Sequence, residues 1–240
     1  AAEIDCTFDV TAGPNALRDA LRRIRQESED AVRGGATHVI LSDEAMGAER
    51  APIPMILATA AVHTHLVRQS LRTFTSVNVR SAECVDVHYF AVLIGVGATT
   101  VNAYLAQEGI ADRHRRGLFG DMTLEQCLYR FKKAIDEGLL KIMSKMGIST
   151  VASYCGAQTF EAVGLAQHVV DQYFSGTHSP MGGVGLEVLT KEIQERHAKA
   201  YPPDGNDLGR GDELEVGGEY QWRREGPPHL FNPETVFKLQ

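Results

Sequence analysis

Helix-like and strand-like patterns alternate along most of this chain, and this alternation constrains the fold more than any other feature. Apolar side chains recur at steps of three and four in some segments, and they alternate or run together in others. In chain order the patterns predict helix 14–34, strand 37–44, helix 54–72, strand 75–82, and a helix, glycine break and short strand within 85–106. Such an order is typical of βαβ units with parallel strands.

The predicted fold class is therefore α/β, as a degenerate, partial barrel-like alternation of parallel strands and helices. Too few strands are visible for a complete eight-stranded barrel. The composition changes near residue 202, because residues 201–233 are rich in glycine, proline and acidic side chains. This change predicts a domain at 1–202 and an extended connector at 203–240, with a short hairpin at 215–222. Asn232 and Pro233 predict a short helix at the end of that connector.

A long helix is predicted between a capping box and a glycine. Thr123 is the expected N-cap residue and Gln126 follows it three residues later, while Gly147 stands where a left-handed cap belongs. The apolar stripe of this helix comprises Leu124, Leu128, Phe131, Ile135, Leu139, Ile142, Met143 and Met146. We therefore expect Met143 to lie in the core, with a strand at 148–154 and another helix at 156–174 after it.

Charge and cysteine content exclude several classes of protein. The net charge is −7, the sequence pI is about 5.7 and there is no basic tract, so a nucleic-acid or anionic-membrane partner is not expected. No apolar run approaches the roughly 20 residues that a membrane span needs. None of the cysteines falls in a CxxC spacing, which favours reduced thiols in a cytoplasmic protein; they are Cys6, Cys84, Cys127 and Cys155.

Two pairs of polar residues could carry chemistry, although each also has a structural explanation. Asp43 and Glu44 follow a predicted strand, at the edge where α/β sites form, and could act in acid–base catalysis. Nothing nearby in sequence supplies a nucleophile or a partner base. His63 and His65 are two apart on a predicted helix and therefore face different directions, so hydrogen bonding is favoured over a shared metal ion.

Glycine-rich segments at 95–100 and 182–185 raise the possibility of phosphate binding. Neither segment has the lysine of a phosphate-binding loop or a complete GxGxxG pattern. The segment at 182–185 precedes a helix predicted to begin at Leu186, whose free N–H groups could hold an anion. A plain turn is the favoured alternative.

Polar side chains crowd the end of the long helix, at Lys141, Ser144, Lys145, Ser149 and Thr150. The two lysines are four apart near a helix C-terminus, where the helix dipole favours cations. Physical reasoning alone therefore explains this stretch as architecture, and it assigns no catalytic, cofactor-binding or metal-binding residue here.

The chain nevertheless resembles a known family in several segments that occur in order. "GLLKIMSKMGIST" (138–150) is followed by "SY", "GAQ", "FEA" and "GL", and further matches are "LSD" (41–43), "APIPMILATAAVHTHL" (51–66), "VHYFAVLIGVGA" (87–98), "YLAQE" (104–108) and "SGTHSPMGGVG" (175–185). Together these segments resemble the large subunit of glutamate synthase, in the later part of its central domain and in the segment leading to its FMN-binding domain.

The resemblance implies a structural role inside an oxidoreductase that makes two glutamates from glutamine, 2-oxoglutarate and a reductant. In that family the central domain lies between a glutamine amidotransferase domain and an FMN-binding synthase domain, ammonia passes through an internal tunnel, and an iron–sulfur cluster delivers electrons. A small reductase subunit or ferredoxin is the implied electron-donating partner. The family's catalytic N-terminal cysteine, its closely spaced cluster cysteines and its flavin barrel have no counterpart here, so the isolated chain is expected to be inactive.

Under this resemblance the five polar residues at 141–150 become candidate tunnel or interdomain contacts. The chain departs from the family at Glu44, Thr64, Tyr89, Cys155 and Pro180, and these departures put tight docking to neighbouring domains in doubt. Two other hypotheses remain open: an independent α/β enzyme that binds a phosphate-bearing ligand at 182–185, and a pure interaction module.

Overall fold

The computed structural model describes residues 1–202, 216–217 and 221–240. The chain divides into two units, Ala1–His197 and Ala198–Gln240. The hairpin predicted at 215–222 lies largely outside the described residues, as does the first part of the predicted connector. None of the described helices is both long enough and apolar enough to span a bilayer.

Through residue 102 of the first unit, one or two strands precede each helix. The strands are β1 (Ala2–Asp5), β2 (Thr7–Asp9), β3 (His38–Ser42), β4 (Arg50–Pro52), β5 (Ser76–Arg80), β6 (Thr100–Asn102), β7 (Glu161–Leu165) and β8 (His178–Val184). The helices are α1 (Ala16–Arg33), α2 (Met55–Arg68), α3 (Val87–Gly95), α4 (Tyr104–Arg115), α5 (Leu124–Met146), α6 (Val151–Tyr154), α7 (Gln167–Tyr173) and α8 (Leu186–Ala200), and α9 (Pro233–Leu239) lies in the second unit.

The main sheet follows the order of the sequence. Among the described residues its strands are β1, β3, β5 and β6, arranged side by side in that order and all parallel. Helices α1, α2 and α3 provide the crossovers that parallel neighbours require. The predicted α/β class, with parallel strands alternating with helices, is confirmed.

Apolar faces on the crossover helices and on the strands explain this packing. Leu17, Leu21 and Ile24 form the buried stripe of α1, whereas most of its charged side chains lie at or near the surface. Val39 and Leu41 of β3 are fully buried against these helices. Helix α2 is buried over most of its circumference, as its nearly continuous apolar sequence predicts.

Two smaller sheets accompany the main one. Strands β2 and β4 pair antiparallel, and β7 pairs with β8 in parallel through a register that shifts twice. The sequence patterns predicted none of these four strands, because each is short or rich in glycine and proline.

The strand predicted at 148–154 is wrong, since Val151–Tyr154 forms α6. Gly147 takes a left-handed conformation that turns the chain, and the Ser153 N–H then donates to the Thr150 carbonyl at 3.1 Å. The buried Tyr154 hydroxyl donates to the Ala91 carbonyl at 3.0 Å, which holds the turn against α3. β-Branched residues therefore lie in a turn here, because a tertiary contact overrides local propensity.

The helix predicted at 156–174 is only partly correct. Its second half is α7, but its first half contains β7, whose backbone pairs with β8. The Gly-rich segment at 182–185 likewise differs from the predicted turn, because Gly182, Gly183 and Val184 belong to β8. A Cβ atom on Gly183 would lie 2.1 Å from the Gly164 carbonyl oxygen, so close strand approach explains that glycine.

The caps predicted from sequence are confirmed. The Thr123 side chain accepts from the Gln126 N–H at 3.2 Å, the Gln126 side chain accepts from the Thr123 N–H at 3.0 Å, and Gly147 has φ of 72°. Asn232 likewise accepts from the Thr235 N–H at the start of α9. Met143 is 5% exposed, as expected, whereas Met146 at the end of α5 is 37% exposed and leaves the buried stripe.

We predict that Met143→Asp prevents stable folding of this chain. The carboxylate would enter a small cluster with Ala91 and Tyr154, at a cost of several kcal/mol unless the group is protonated. Met143→Leu conserves volume and should cost less than about 1.5 kcal/mol. Thermal unfolding checks both variants, and a Met143→Asp protein that melts with the parent would contradict the burial of this side chain.

Candidate functional site

The carboxyl edge of the sheet gathers the polar groups that sequence placed at strand ends. Asp43 directly follows β3, is fully buried, and accepts from the Ala82 N–H at 2.9 Å. The Tyr104 hydroxyl donates to the same carboxylate. Burial raises the pKa of Asp43, and these two hydrogen bonds oppose that rise. Asp43 therefore connects the ends of three strands rather than standing free for acid–base work.

A second carboxylate at this edge caps a helix. Glu83 accepts from the Met55 N–H, the first of α2, at 2.9 Å, and it also accepts from the Tyr89 hydroxyl. Negative charge is favourable at a helix N-terminus. Burial, aided by the Glu83 carboxylate, raises the pKa of Tyr89, so this hydroxyl stays a donor.

Arg80 completes the edge on its exposed side. Its guanidinium donates to Glu44 at 2.7 Å and to Glu3 at 3.3 Å, which joins groups at β1, β3 and β5. The pair that sequence suggested for acid–base catalysis is thus divided, because Asp43 bonds to Ala82 and Tyr104 while Glu44 bonds to Arg80. This arrangement stabilises the sheet.

A cluster of side chains centred on a histidine and an arginine lies at the opposite edge of the sheet, which is formed by the amino ends of the strands. The Arg72 Nε donates to the His63 Nδ1 at 3.0 Å, and its other nitrogens donate to the Thr75 and Gly97 carbonyls at 2.6 and 2.9 Å. Because Nδ1 accepts, the neutral ring carries its proton on Nε2. Burial, reinforced by the Arg72 charge, lowers the pKa of His63 from 6.5 to about 4.

The two histidines of α2 have separate partners, as their spacing predicted. His65 Nε2 lies 2.7 Å from the Glu29 carboxylate on α1, whereas His63 contacts Arg72. Within the ranges that the structure describes, histidine, cysteine, aspartate and glutamate side chains form no group of three or more that could hold a metal ion.

Residues 155–158 bond to the C-terminal end of α3 and to the loop that follows it. The Gly156 N–H donates to the Ile94 carbonyl and the Gln158 N–H to the Gly95 carbonyl, each at 3.0 Å, and the Cys155 thiol donates to the Ala98 carbonyl at 3.4 Å. Backbone bonds therefore fix residues 155–158, and this part of the stretch is architecture.

The five polar residues predicted as contacts are all exposed, at the end of α5 and in the turn after it. Lys141, Ser144 and Lys145 are exposed on the last turns of α5, and Ser149 and Thr150 are exposed in the turn after it. Thr150 Oγ1 lies 2.9 Å from Ser153 Oγ. The structure thus gathers the five on one short segment with their side chains available to a neighbour.

A groove that sequence reasoning missed lies between α5 and the sheet. It encloses about 750 Å³, and its lining includes Phe90, Ile94, Val101, Leu128, Phe131 and Ile135. The sequence feature that could have revealed this groove is the apolar stripe on α5, which is wider than the part of the helix surface that packs against α3. Helix α5 buries only Cys127, Ile135 and Met143 among its residues, and the partly exposed Leu124, Leu128, Phe131 and Leu139 line the groove.

Comparisons with known proteins agree on one family. The family described as glutamate synthase central domain matches residues 1–166. The chain is 62% identical to the glutamate synthase [NADPH] large chain of Azospirillum brasilense over 240 residues, which is all of this chain and 15% of that protein. It is 44% identical to the Bacillus subtilis glutamate synthase [NADPH] large chain over 224 residues, covering 93% of this chain and 14% of that one.

A relative with a different printed electron donor is also similar. The ferredoxin-dependent glutamate synthase of Spinacia oleracea is 41% identical over 239 residues, covering 95% of this chain and 14% of that protein. The chain therefore spans about one seventh of the length of these relatives.

The fold defines an α/β domain with hydrogen-bonded clusters at both ends of its parallel strands, an exposed polar segment and an apolar groove. The chain belongs to the glutamate synthase central domain family.

Four of the five residues predicted to depart from the family have hydrogen-bond partners inside this chain. Glu44 accepts from Arg80, the Thr64 hydroxyl donates to the Tyr173 carbonyl, Tyr89 donates to Glu83, and Cys155 donates to Ala98. These residues are accommodated by the fold. Pro180 lies exposed in β8, and nothing in the structure explains it.

We predict that Gly97→Ala destabilises the His63 cluster. Gly97 has φ of 116°, and a Cβ atom there would lie 2.2 Å from His63 Nδ1. Strained backbone of this kind costs about 1–3 kcal/mol before the clash is added. Gly109→Ala is the matched control, because its Cβ meets nothing within 4 Å in α4 and should stabilise by about 0.5–1 kcal/mol. In chemical denaturation, the unfolding midpoint of Gly97→Ala should be lower than that of the parent, and the midpoint of Gly109→Ala should be higher. Equal shifts of the two midpoints would contradict the prediction.

We also predict an acid-sensitive stability that depends on His63. The unfolded chain binds a proton at this histidine below pH 6.5, whereas the folded chain does so only near pH 4. The His63 contribution is therefore complete above pH 6.5 and is lost as the pH falls towards about 4. In His63→Asn, the amide oxygen can accept from Arg72 without titrating. Unfolding free energy measured against pH should fall less steeply in this variant; parallel curves would refute the assignment.

Proposed function

We propose that this chain is a structural part of a glutamate synthase large chain, which makes two glutamates from glutamine, 2-oxoglutarate and a reductant. Its role is to link the amidotransferase and synthase sites and to help wall the route of ammonia between them. The observation that carries this proposal is 62% identity to a glutamate synthase large chain across all 240 residues.

The remaining chemistry belongs to other parts of that enzyme. FMN and the iron–sulfur cluster are carried by other domains, and the amidotransferase and FMN-binding domains are partners within the same polypeptide. Electrons come from a small reductase subunit or from ferredoxin, in a cytoplasmic enzyme. Relatives named for NADPH and for ferredoxin resemble this chain over 240 and 239 residues, which supports a common role independent of the donor.

The polar segment at 141–150 is the part of this domain that we assign to interdomain or tunnel contact. Support comes from its asymmetry: Met143 packs inward, whereas Lys141, Ser144 and Lys145 face outward at the end of α5. By contrast, the carboxylates of Asp43 and Glu83 already have donors within the chain. The exposed segment is therefore the better candidate for a contact outside this domain.

The proposal predicts an effect of Lys145→Ala on coupling in the full-length enzyme. Removing this exposed lysine should cost only about 0.3–1 kcal/mol of helix-dipole stabilisation and leave the fold intact. Loss of an interdomain contact should raise the ratio of glutamine consumed to 2-oxoglutarate consumed. Lys133→Ala is the control, because that lysine is exposed earlier in α5 and pairs with Glu137.

An unchanged ratio in Lys145→Ala would show that this segment is architecture alone. The isolated 240-residue chain is the second control and should form no glutamate from glutamine, 2-oxoglutarate and a reductant. Glutamate production by that chain would overturn the structural role itself.

A further inference from the structure

The groove between α5 and the sheet follows the edge of a strand rather than one of its faces. Successive residues Thr99, Thr100 and Val101 all line it. Neighbouring side chains in a strand point to opposite faces, so only a groove along the edge can touch three in a row. Among the described strands, β6 pairs on one side alone, with β5.

This edge presents backbone groups to the groove. The Ser81 N–H, just after β5, donates to the Asn102 carbonyl of β6 at 3.0 Å. Because backbone direction alternates along a strand, the N–H and C=O of Val101 point away from β5 and into the groove. An exposed edge of this kind is a template for a further strand.

The chain order leaves this position open. Each strand of the main sheet is followed by a helix and then by its next neighbour, until β6 leads through α4 into α5 without a strand between them. Helix α5 instead forms the far wall, with Leu128, Phe131 and Ile135 towards the groove. A fifth strand would lie about 4.8 Å from β6, within this space.

We propose that the groove receives an extended segment from another part of the same large chain, which adds to β6 as a further strand. This inference rests on the proposed function, because the segment would come from the portion of a longer polypeptide that these 240 residues do not include. The relatives support such a source, since 85% of the Azospirillum brasilense chain lies outside the matched region.

The lining defines the chemistry of that segment. Apolar side chains from α3 and α5 face the interior of the groove, so alternate residues of the segment should be apolar. Lys132, Asp136 and Glu125 are exposed at the α5 side and suit polar residues between them. Main-chain bonds to Val101 would provide affinity, and the apolar residues would provide register.

Hydrogen exchange at Val101 tests the proposal directly. In the isolated 240-residue chain its amide should exchange as an open strand edge, and in the full-length enzyme it should exchange at least about tenfold more slowly. The Asn102 amide, which the strand register directs towards β5, is the internal reference and should be protected in both proteins. Equal Val101 rates in the two proteins would overturn the proposal.

Substitution of Val101 provides a second test with a matched control. Val101→Pro removes the N–H that points into the groove, and proline is tolerated at a strand edge. Val101→Ala keeps that N–H, while both variants lose the branched valine side chain that lines the groove. The proline variant should melt several degrees below the alanine variant in the full-length enzyme, with a smaller gap in the isolated chain. Equal gaps would refute strand addition.

Other occupants give different results. Protection of Val101 that increases with concentration in the isolated chain, together with a dimer in light scattering, would assign the groove to a second copy and overturn the proposal. Protection caused only by a small apolar compound would do the same. A full-length enzyme that makes glutamate but leaves Val101 unprotected rejects this inference while preserving the proposed function.

Discussion

Parallel pairing between strands that are consecutive in the main sheet is the constraint on which the rest of the first unit depends. Each step from β1 to β3, β5 and β6 needs a crossover long enough to return the chain to the same end of the sheet. Helices α1, α2 and α3 supply these crossovers and bury apolar faces on the strands. The same geometry brings all carboxyl ends to one edge, where Asp43 and Glu83 find their donors.

The edge formed by the carboxyl ends of the strands and the edge formed by their amino ends are held together by different chemistry. At the carboxyl edge, the buried Asp43 and the half-buried Glu83 accept from backbone N–H groups and from tyrosine hydroxyls, so negative charge is matched by donors. At the amino edge, Arg72 donates to two backbone carbonyls and to the neutral ring of His63. A protonated His63 would place two cations side by side, which is why burial and Arg72 together keep its pKa low. The groups in both clusters bond within the chain, and the external contacts that we propose are therefore placed at the segment 141–150 and at the groove.

Sequence patterns predicted the first half of this fold well, because its elements are long and strongly periodic. Helices α1, α2 and α5 were recognisable from their apolar stripes, and the caps at Thr123, Gly147 and Asn232 from local chemistry. The region after Gly147 was predicted poorly. Its β-branched residues favoured a strand, yet the Tyr154 contact to Ala91 holds a turn, and β7 exists only because β8 pairs with it. The partners of Asp43 come from residues 82 and 104, which no local pattern connects to it, so its structural role emerged only in three dimensions.

The strict sequence order of the main sheet also determines how the chain can assemble. Every strand after β1 in that sheet pairs with the strand of the same sheet that precedes it in the chain, so each new unit of helix and strand can add to an edge that has already formed. Contacts of this kind are comparatively local along the chain, and local contacts favour rapid folding. A polypeptide emerging from the ribosome can therefore extend this sheet stepwise, from Ala2 to Asn102, before its later residues have been synthesised.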